Sequence, residues 1–180
     1  MVEMETERLR LRAFRGDDFE DYARFMGDAE TMRFIFGEPL DREKAWRSLA
    51  GVLGHWQLRG FGLWALEEKG TGALVGRAGL IQPEGWPGLE AGWLIDRRRW
   101  GEGFATEAAR KALDFAFESL RAEHIISLIH PKNKASIRVA EKIGESFEGR
   151  TALHGKEVAV YGVSSGEYRR RRAFTSTAEP

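Results

Sequence analysis

Residues 89–120 constrain this chain more than any other stretch, because a strand-like run passes through a short glycine-bearing loop directly into a long helix. Residues 89–95 read as the strand. Ala105, Ala108/Ala109, Ala112, Ala116 and Leu120 then form a narrow stripe at helical spacing, with Leu113 and Phe117 beside it. Between the two lie Gly101 and Gly103. Glycine lets a ligand approach the backbone closely and lets amides turn inward. The first four amides of a helix have no intrahelical acceptor, and the helix dipole adds partial positive charge there. An anion site follows, most naturally for a phosphate or pyrophosphate. A bare G-x-G also suits an ordinary tight strand-to-helix turn, so the loop alone leaves both readings open.

Absences narrow the ligand. The chain has no G-x-x-x-x-G-K-[ST] and hence no nucleotide-hydrolysing phosphate loop. A dinucleotide fingerprint would need a third glycine where Thr106 stands, and a position nearer the start of the fold. With 28 Lys+Arg against 28 Asp+Glu the net charge is zero, which argues against a nucleic-acid partner. The lack of cysteine excludes a disulfide scaffold, a thiolate zinc site and a cysteine nucleophile. None of the four histidines, His55, His124, His130 and His154, pairs with another at metal-ligand spacing, so no metal is expected. No apolar run nears the ~18 residues of a membrane span, and the acidic start Met1-Val2-Glu3-Met4-Glu5 is unlike a signal peptide. A cytoplasmic protein without membrane contact is expected. Its 180 residues suit one domain. That domain is read as 1–168, and 169–180, with its basic run Arg169-Arg170-Arg171-Arg172, as a solvated polar tail.

The remaining periodicities give an order of strand, two helices, three strands, helix, strand, helix, two strands. Leu9, Leu11 and Ala13 alternate with arginines, as in a half-exposed strand. One helix carries Phe19, Tyr22 and Phe25/Met26; the next carries Ala45/Trp46, Leu49, Val52/Leu53 and Trp56. Strands are predicted over 61–66, 74–81, 125–129, 146–153 and 157–164, and a helix over 134–143 closed by Gly144. This is a mixed α/β domain with a strand–helix–strand crossover in its second half.

The loop segment Trp100-Gly101-Glu102-Gly103-Phe104-Ala105 resembles the acyl-CoA signature [Q/R]-x-x-G-x-[G/A] of the GNAT acetyltransferases, with Trp100 in place of Gln or Arg. The similarity extends to Glu90-Ala91-Gly92-Trp93, Thr106-Glu107-Ala108, Asn133-Lys134-Ala135-Ser136, Glu141-Lys142 and Gly144. With the opening Thr6-Glu7-Arg8-Leu9-Arg10-Leu11-Arg12, the chain resembles the RimJ/RimL-like branch, whose best-known members acetylate the N-terminal amine of ribosomal proteins. The resemblance implies a mostly antiparallel twisted sheet of about seven strands flanked by about four helices. It implies acetyl-CoA as acetyl donor, its pyrophosphate held by the amides of Gly101, Glu102, Gly103, Phe104, Ala105 and Thr106. Pantetheine would pair with the strand backbone at Trp93 and Ile95 and hydrogen-bond Asn133, a residue that also suits an ordinary helix N-cap. The acceptor would be an amine on a protein N-terminus or a small molecule, and a homodimer is common in the group.

Acetyl transfer to an amine is a proton problem. A thiol of pKa ~8.5 leaves readily as thiolate, whereas an amine of pKa ~10.4 is neutral about once in ~2500 at pH 7, a cost of roughly 4.6 kcal/mol. For an α-amine near ~8 the cost is only about 1.4 kcal/mol. A base therefore matters more than an acid. Glu90 matches the branch's glutamate and is the candidate base. It lies one residue off the catalytic-glutamate spacing elsewhere in the superfamily, and such a slip turns a strand side chain to the other face; a solvated strand-end glutamate is the competing reading. Ser136 is the candidate donor to the leaving thiolate, or else a plain first-turn serine. His154 is a secondary base candidate. Acceptor selectivity is expected in the Trp86 loop and the helix around Trp46 to Trp56. A non-catalytic acyl-CoA-binding or sensor domain is the alternative function.

Overall fold

The computed structural model describes residues 1–153 and 155–176. Its strands are β1 (Met4–Glu5), β2 (Leu9–Arg12), β3 (Leu63–Glu68), β4 (Leu74–Ile81), β5 (Glu90–Ile95), β6 (His124–Ile129), β7 (Ser146–Leu153) and β8 (Lys156–Ser164). Its helices are α1 (Phe19–Met26), α2 (Ala29–Met32), α3 (Arg42–Arg59), α4 (Phe104–Asp114), α5 (Lys134–Ile143) and α6 (Ser165–Ser176). The strands form one sheet in the order β1-β2-β3-β4-β5-β6-β8-β7. Every neighbouring pair is antiparallel except β5 and β6, which are parallel and joined through α4. The mixed, mostly antiparallel sheet is as expected. Its eighth strand, β1, has only two residues and carries no alternation that a sequence could betray.

Two cores lie on opposite faces. The alanines of α4 (Ala108, Ala109, Ala112) press against Val75, Ala78, Leu80, Ala91 and Ile95, and small side chains permit this close helix–sheet approach. On the other face, Tyr22, Phe25 and Met26 of α1 and Ala45, Leu49 and Val52 of α3 cover Leu63, Ala65, Leu74 and Leu94. The predicted helix to Leu120 does not stay α-helical. Residues Phe115–Ser119 form one π turn, with the Leu120 amide donating to the Phe115 carbonyl at 3.1 Å. Phe115, Ala116 and Phe117 are all buried.

Two elements depart from expectation. The four-residue α2 is started by Asp28, whose Oδ1 accepts from the Thr31 amide at 2.8 Å. The segment 169–176, expected as a polar tail, belongs to α6. Tyr168 buries against Phe117, and its hydroxyl donates to Asp114 Oδ1 at 3.0 Å, while Arg172 pairs with Asp114 and Glu118. The basic run thus meets acids on the α4 segment rather than only water.

The parallel pair makes the site possible. β5 and β6 are registered at one position only, Glu90 opposite Ile126. There the Leu89 carbonyl accepts from the Ile126 amide at 3.0 Å, and Ser127 Oγ lies 2.8 Å from the Ala91 carbonyl. Beyond Ala91 the facing edge of β5 carries no ladder.

Candidate active site

The loop before α4 has the geometry an anion needs. Gly101 and Gly103 adopt φ of 84° and 87°, a left-handed conformation in which a side chain would be strained. Gly103 is the N-cap, and the helical ladder starts with the Glu107 amide donating to its carbonyl at 3.1 Å. The amides of Phe104, Ala105 and Thr106 therefore have no intrahelical acceptor, and Gly101, Gly103, Phe104, Ala105 and Thr106 all line one large groove. Glu102 turns its exposed carboxylate outward to Arg99, 2.9 Å away. Phe104 is buried and anchors the helix start.

Arg8 fixes this loop from the N-terminal strand. Its Nε donates to Glu107 Oε2 at 2.7 Å, its Nη1 to the Glu102 carbonyl at 2.8 Å, and its guanidinium stacks 4.6 Å from the Phe104 ring centre. Thr6 Oγ1 also donates to Glu107 Oε1. Burial pushes the Glu107 carboxyl upward, but Thr6 and the amide and guanidinium of Arg8 bring it below its ordinary range. The opening Thr6-Glu7-Arg8 motif, noticed in sequence only as part of a resemblance, acts as a clamp on the first turn of α4. Arg99 adds a second tie through Glu68, whose carboxyl it holds down at about 2.

One bond fixes which backbone groups of β5 are free. The Asp96 amide donates to the Val75 carbonyl at 2.9 Å. In an antiparallel pair successive residues point their amides alternately to the two sides, so Gly92 and Leu94 pair with β4. Ala91, Trp93 and Ile95 face the open edge. Trp93 thus offers both its amide and its carbonyl to the groove. Ile95 offers only the amide, because its carbonyl already accepts from Trp100 Nε1 at 2.8 Å. The tryptophan in the signature's Gln/Arg position has that structural task.

Opposite this edge stands the start of α5. Asn133 Oδ1 accepts from the Ser136 amide at 3.1 Å, so Asn133 is the N-cap and leaves its side-chain NH₂ for other partners. Lys134, Arg138 and Lys142, spaced four apart on α5, line the groove together. This cationic stripe was missed in the sequence, where the regular spacing was its signal.

A second, smaller cavity of about 130 Å³ adjoins the groove, and Trp93, Leu94, Asn133 and Ser136 line both. Glu90 stands in it, on the same face of β5 as Gly92 and Leu94 and only 8% exposed. The reading of Glu90 as a solvated strand-end residue is therefore excluded. Its Oε2 accepts from Trp86 Nε1 at 2.5 Å, and its Oε1 lies 3.4 Å from the Leu128 amide. Burial raises its pKa to about 7, against the lowering effect of those two donors. A Cβ on Gly92 would meet nothing within 4 Å, so the cavity floor is open where a side chain would stand. Phe34 and Ile35, from the segment after α2, form the outer wall, and the Phe34 ring packs 5.0 Å from that of His130.

The expected contribution of α3 to this cavity is a correction. Among the described residues none from Trp46 to Trp56 lines it. Trp56 is buried in the other core, its Nε1 on the Leu63 carbonyl, and Trp46 is exposed. The wall comes instead from Phe34 and Ile35, in the turn that follows the four-residue α2, a segment with no periodicity to announce it. His55 bridges the Phe61 carbonyl and the Gln82 amide, and His124 pairs with Glu148. His154 lies outside the described residues. Among the described residues no group of three or more His, Cys, Asp or Glu is placed to hold a metal ion, and no helix is long and apolar enough to cross a membrane.

The structure thus brings together an amide-lined loop at a helix start, an open strand edge and a buried carboxyl beside their junction. A family model described as the acetyltransferase (GNAT) domain matches residues 8–146, and the chain belongs to that family of acetyltransferases. Among its relatives, YkkB of Bacillus subtilis (strain 168) is 35% identical over 165 residues, 87% of this chain and 92% of YkkB. The crystal structure of an acetyltransferase from Agrobacterium tumefaciens matches with a TM-score of 0.82 and 30% identity over 91% of this chain and 94% of that one. The spermidine N-acetyltransferase of Vibrio cholerae, solved in complex with CoA and spermine, shares the fold at a TM-score of 0.74 and 21% identity, covering 91% of this chain and 99% of that one.

Proposed function

We propose that this protein transfers the acetyl group of acetyl-CoA to a primary amine by direct attack of the neutral amine on the thioester. Glu90 is the observation that carries this reading. A carboxyl with a pKa of about 7, buried in a cavity that opens onto the groove, is matched to accepting a proton from an ammonium near neutral pH. In the reading, the amides of residues 101–106 hold the pyrophosphate, with Lys134, Arg138 and Lys142 supplying positive charge. Trp93 pairs with pantetheine through both backbone groups and Ile95 through its amide. The side-chain NH₂ of Asn133 donates to the same arm.

The proton account closes without a covalent enzyme intermediate. The ammonium gives its first proton to Glu90, directly or through one water; the amine nitrogen bonds to the thioester carbon; the C–S bond breaks, and the second proton on that nitrogen passes to the departing CoA sulfur, leaving neutral amide and free thiol. Ser136, which lines both cavity and groove, is the proposed hydrogen-bond donor to the departing sulfur. The presence of CoA in the Vibrio cholerae relative agrees with the proposed donor. The RimJ/RimL-like resemblance keeps a protein N-terminus and a small amine as acceptor classes, and a cytoplasmic location goes with the donor.

The test begins with mass spectrometry of the purified protein for co-purified CoA and continues with free-thiol release from acetyl-CoA across a panel of amines. Saturable, amine-dependent release supports the reading. Thiol release independent of any amine, or none across the whole panel, overturns it. In Glu90→Gln the inflection of kcat/KM near pH 7 should vanish; an unchanged profile removes Glu90 from the base role. Ser136→Ala should lower kcat about tenfold, the usual contribution of one donor aimed at developing charge being that or more.

A further inference from the structure

The cavity that holds Glu90 contains a second buried charge that the reaction above does not use. Arg77 on β4 is 8% exposed and lines the same cavity. It stands opposite Leu94, whereas Glu90 stands opposite Ile81. The two are thus four residues apart along neighbouring strands, about 13 Å at ~3.3 Å per residue. Arg77 Nη1 donates to the Tyr22 hydroxyl, and the guanidinium carbon sits 5.5 Å from the Tyr22 ring centre. Tyr22 also hydrogen-bonds Ser48 at 2.9 Å. These partners are neutral. Among the described residues no carboxylate pairs with Arg77.

A guanidinium stays charged in a protein, and a buried charge is almost always paired because desolvating it is so costly. The nearby acids are committed elsewhere: Glu67 to Arg10 and Arg12, Asp96 to Arg24 and Arg98. Nor is Glu90 the counter-ion, since the groups acting on it are its own burial, Trp86 and Leu128. Arg77 is thus a buried cation on the cavity wall whose partners are neutral. Guanidinium offers a planar fork of parallel N–H donors, which fits a carboxylate.

We propose that Arg77 is the carboxylate-binding subsite of the acceptor cavity, so that the acceptor is a small aminocarboxylate spanning it, amine towards Glu90 and carboxylate on Arg77. A small acceptor fits the cavity, which is about 130 Å³ and walled by Phe34 and Ile35. This rests on the reading of that cavity as the amine site.

The test compares glycine, β-alanine and longer ω-amino carboxylates, each against its own carboxamide and the matching alkylamine, by thiol release from acetyl-CoA. The intact protein should prefer the best carboxylate over its carboxamide by about tenfold or more in kcat/KM, carried by KM. In Arg77→Met that ratio should fall towards one, whatever turnover remains, and Arg77→Lys should keep part of it as a point charge without the fork. Equal use of carboxylates and carboxamides by the intact protein, or a preference that survives Arg77→Met, overturns the subsite while leaving the acetyltransferase reading in place. If no amine releases thiol, that reading falls, and calorimetry of the N-acetylated carboxylates against their carboxamides on the intact protein still decides the subsite: equal binding overturns it.

Discussion

Ser127 Oγ lies 2.8 Å from the carbonyl of Ala91 and 2.9 Å from Oε1 of Glu145, and it has one hydrogen to give to the two of them. The Ala91 carbonyl can only accept. The serine donates towards both oxygens and so gives Glu145 only part of one hydrogen bond, too little to offset burial, which holds Glu145 as the neutral acid. It is 2% exposed, its Oε2 is buried without a partner, and burial raises its pKa to about 9 against the lowering effect of Ser127, helped by the charges of Glu90 and Glu148.

A raised carboxyl pKa has a definite sign for stability. The folded chain keeps this proton up to about pH 9, whereas the unfolded chain releases it near the ordinary value of 4.5. Stability from this group is complete below the lower value and is lost as pH rises towards the higher one. Over that window the loss is about 1.4 kcal/mol per pH unit. Glu145→Gln keeps a donor for Ser127 and carries no proton to lose. Its stability relative to the natural chain, measured by denaturant unfolding, should therefore grow steadily from pH 7 to pH 9. Parallel curves for the two proteins would show that Glu145 is ionised in the fold.

The Trp86 indole lowers the pKa of Glu90 by donating to its Oε2. Trp86→Phe removes that donor and leaves the burial. The Glu90 pKa should rise above about 7, the rising limb of kcat/KM should move to higher pH, and activity at pH 7 should fall. A limb that stays in place or moves towards acid contradicts the assignment of that limb to Glu90.

Gly92 leaves room on the cavity floor for a side chain that is not there. Gly92→Leu places a side chain into that space from a Cβ that meets nothing within 4 Å, and thermal unfolding of the variant checks that it still folds. Amine-dependent thiol release should drop by about a hundredfold, roughly the 2.7 kcal/mol worth of an excluded acceptor. CoA affinity, measured by calorimetry, should remain within about threefold of the natural value because the groove is lined elsewhere. Full turnover in this variant would mean that the acceptor enters by another route.

Arg8 holds the phosphate loop through Glu107 and the Glu102 carbonyl. Arg8→Ala should raise KM for acetyl-CoA about tenfold, as expected for losing charge-assisted bonds worth roughly 1.5 kcal/mol, with a much smaller effect on kcat. An effect confined to kcat would assign Arg8 a different role.

Sequence periodicity located the helices with a clear apolar face. Tyr22, Phe25 and Met26 on α1, and Ala45, Leu49, Val52 and Trp56 on α3, are buried as their spacing requires. It could not find β1 or α2, because elements of two and four residues hold barely one period of their pattern and so show no repeat. Residues 169–172 misled for another reason. Their charges look solvated until Asp114 and Glu118, more than fifty residues earlier, supply partners for Arg172. Long-range pairing of this kind leaves no local trace.

The chain's order of residues determined by itself the bend at Gly101 and Gly103, the start of α4 and the caps of α5. These depend on backbone conformations and amides only a few positions apart. Which face of β5 Glu90 takes, how deeply it is buried, and its sharing of a cavity with Arg77 were decided by the tertiary structure alone. Burial sets whether a carboxyl is a surface acid or a base tuned near neutrality, and burial is produced by Trp86, Leu128 and the wall at Phe34 and Ile35 meeting across the gap where β5 and β6 part.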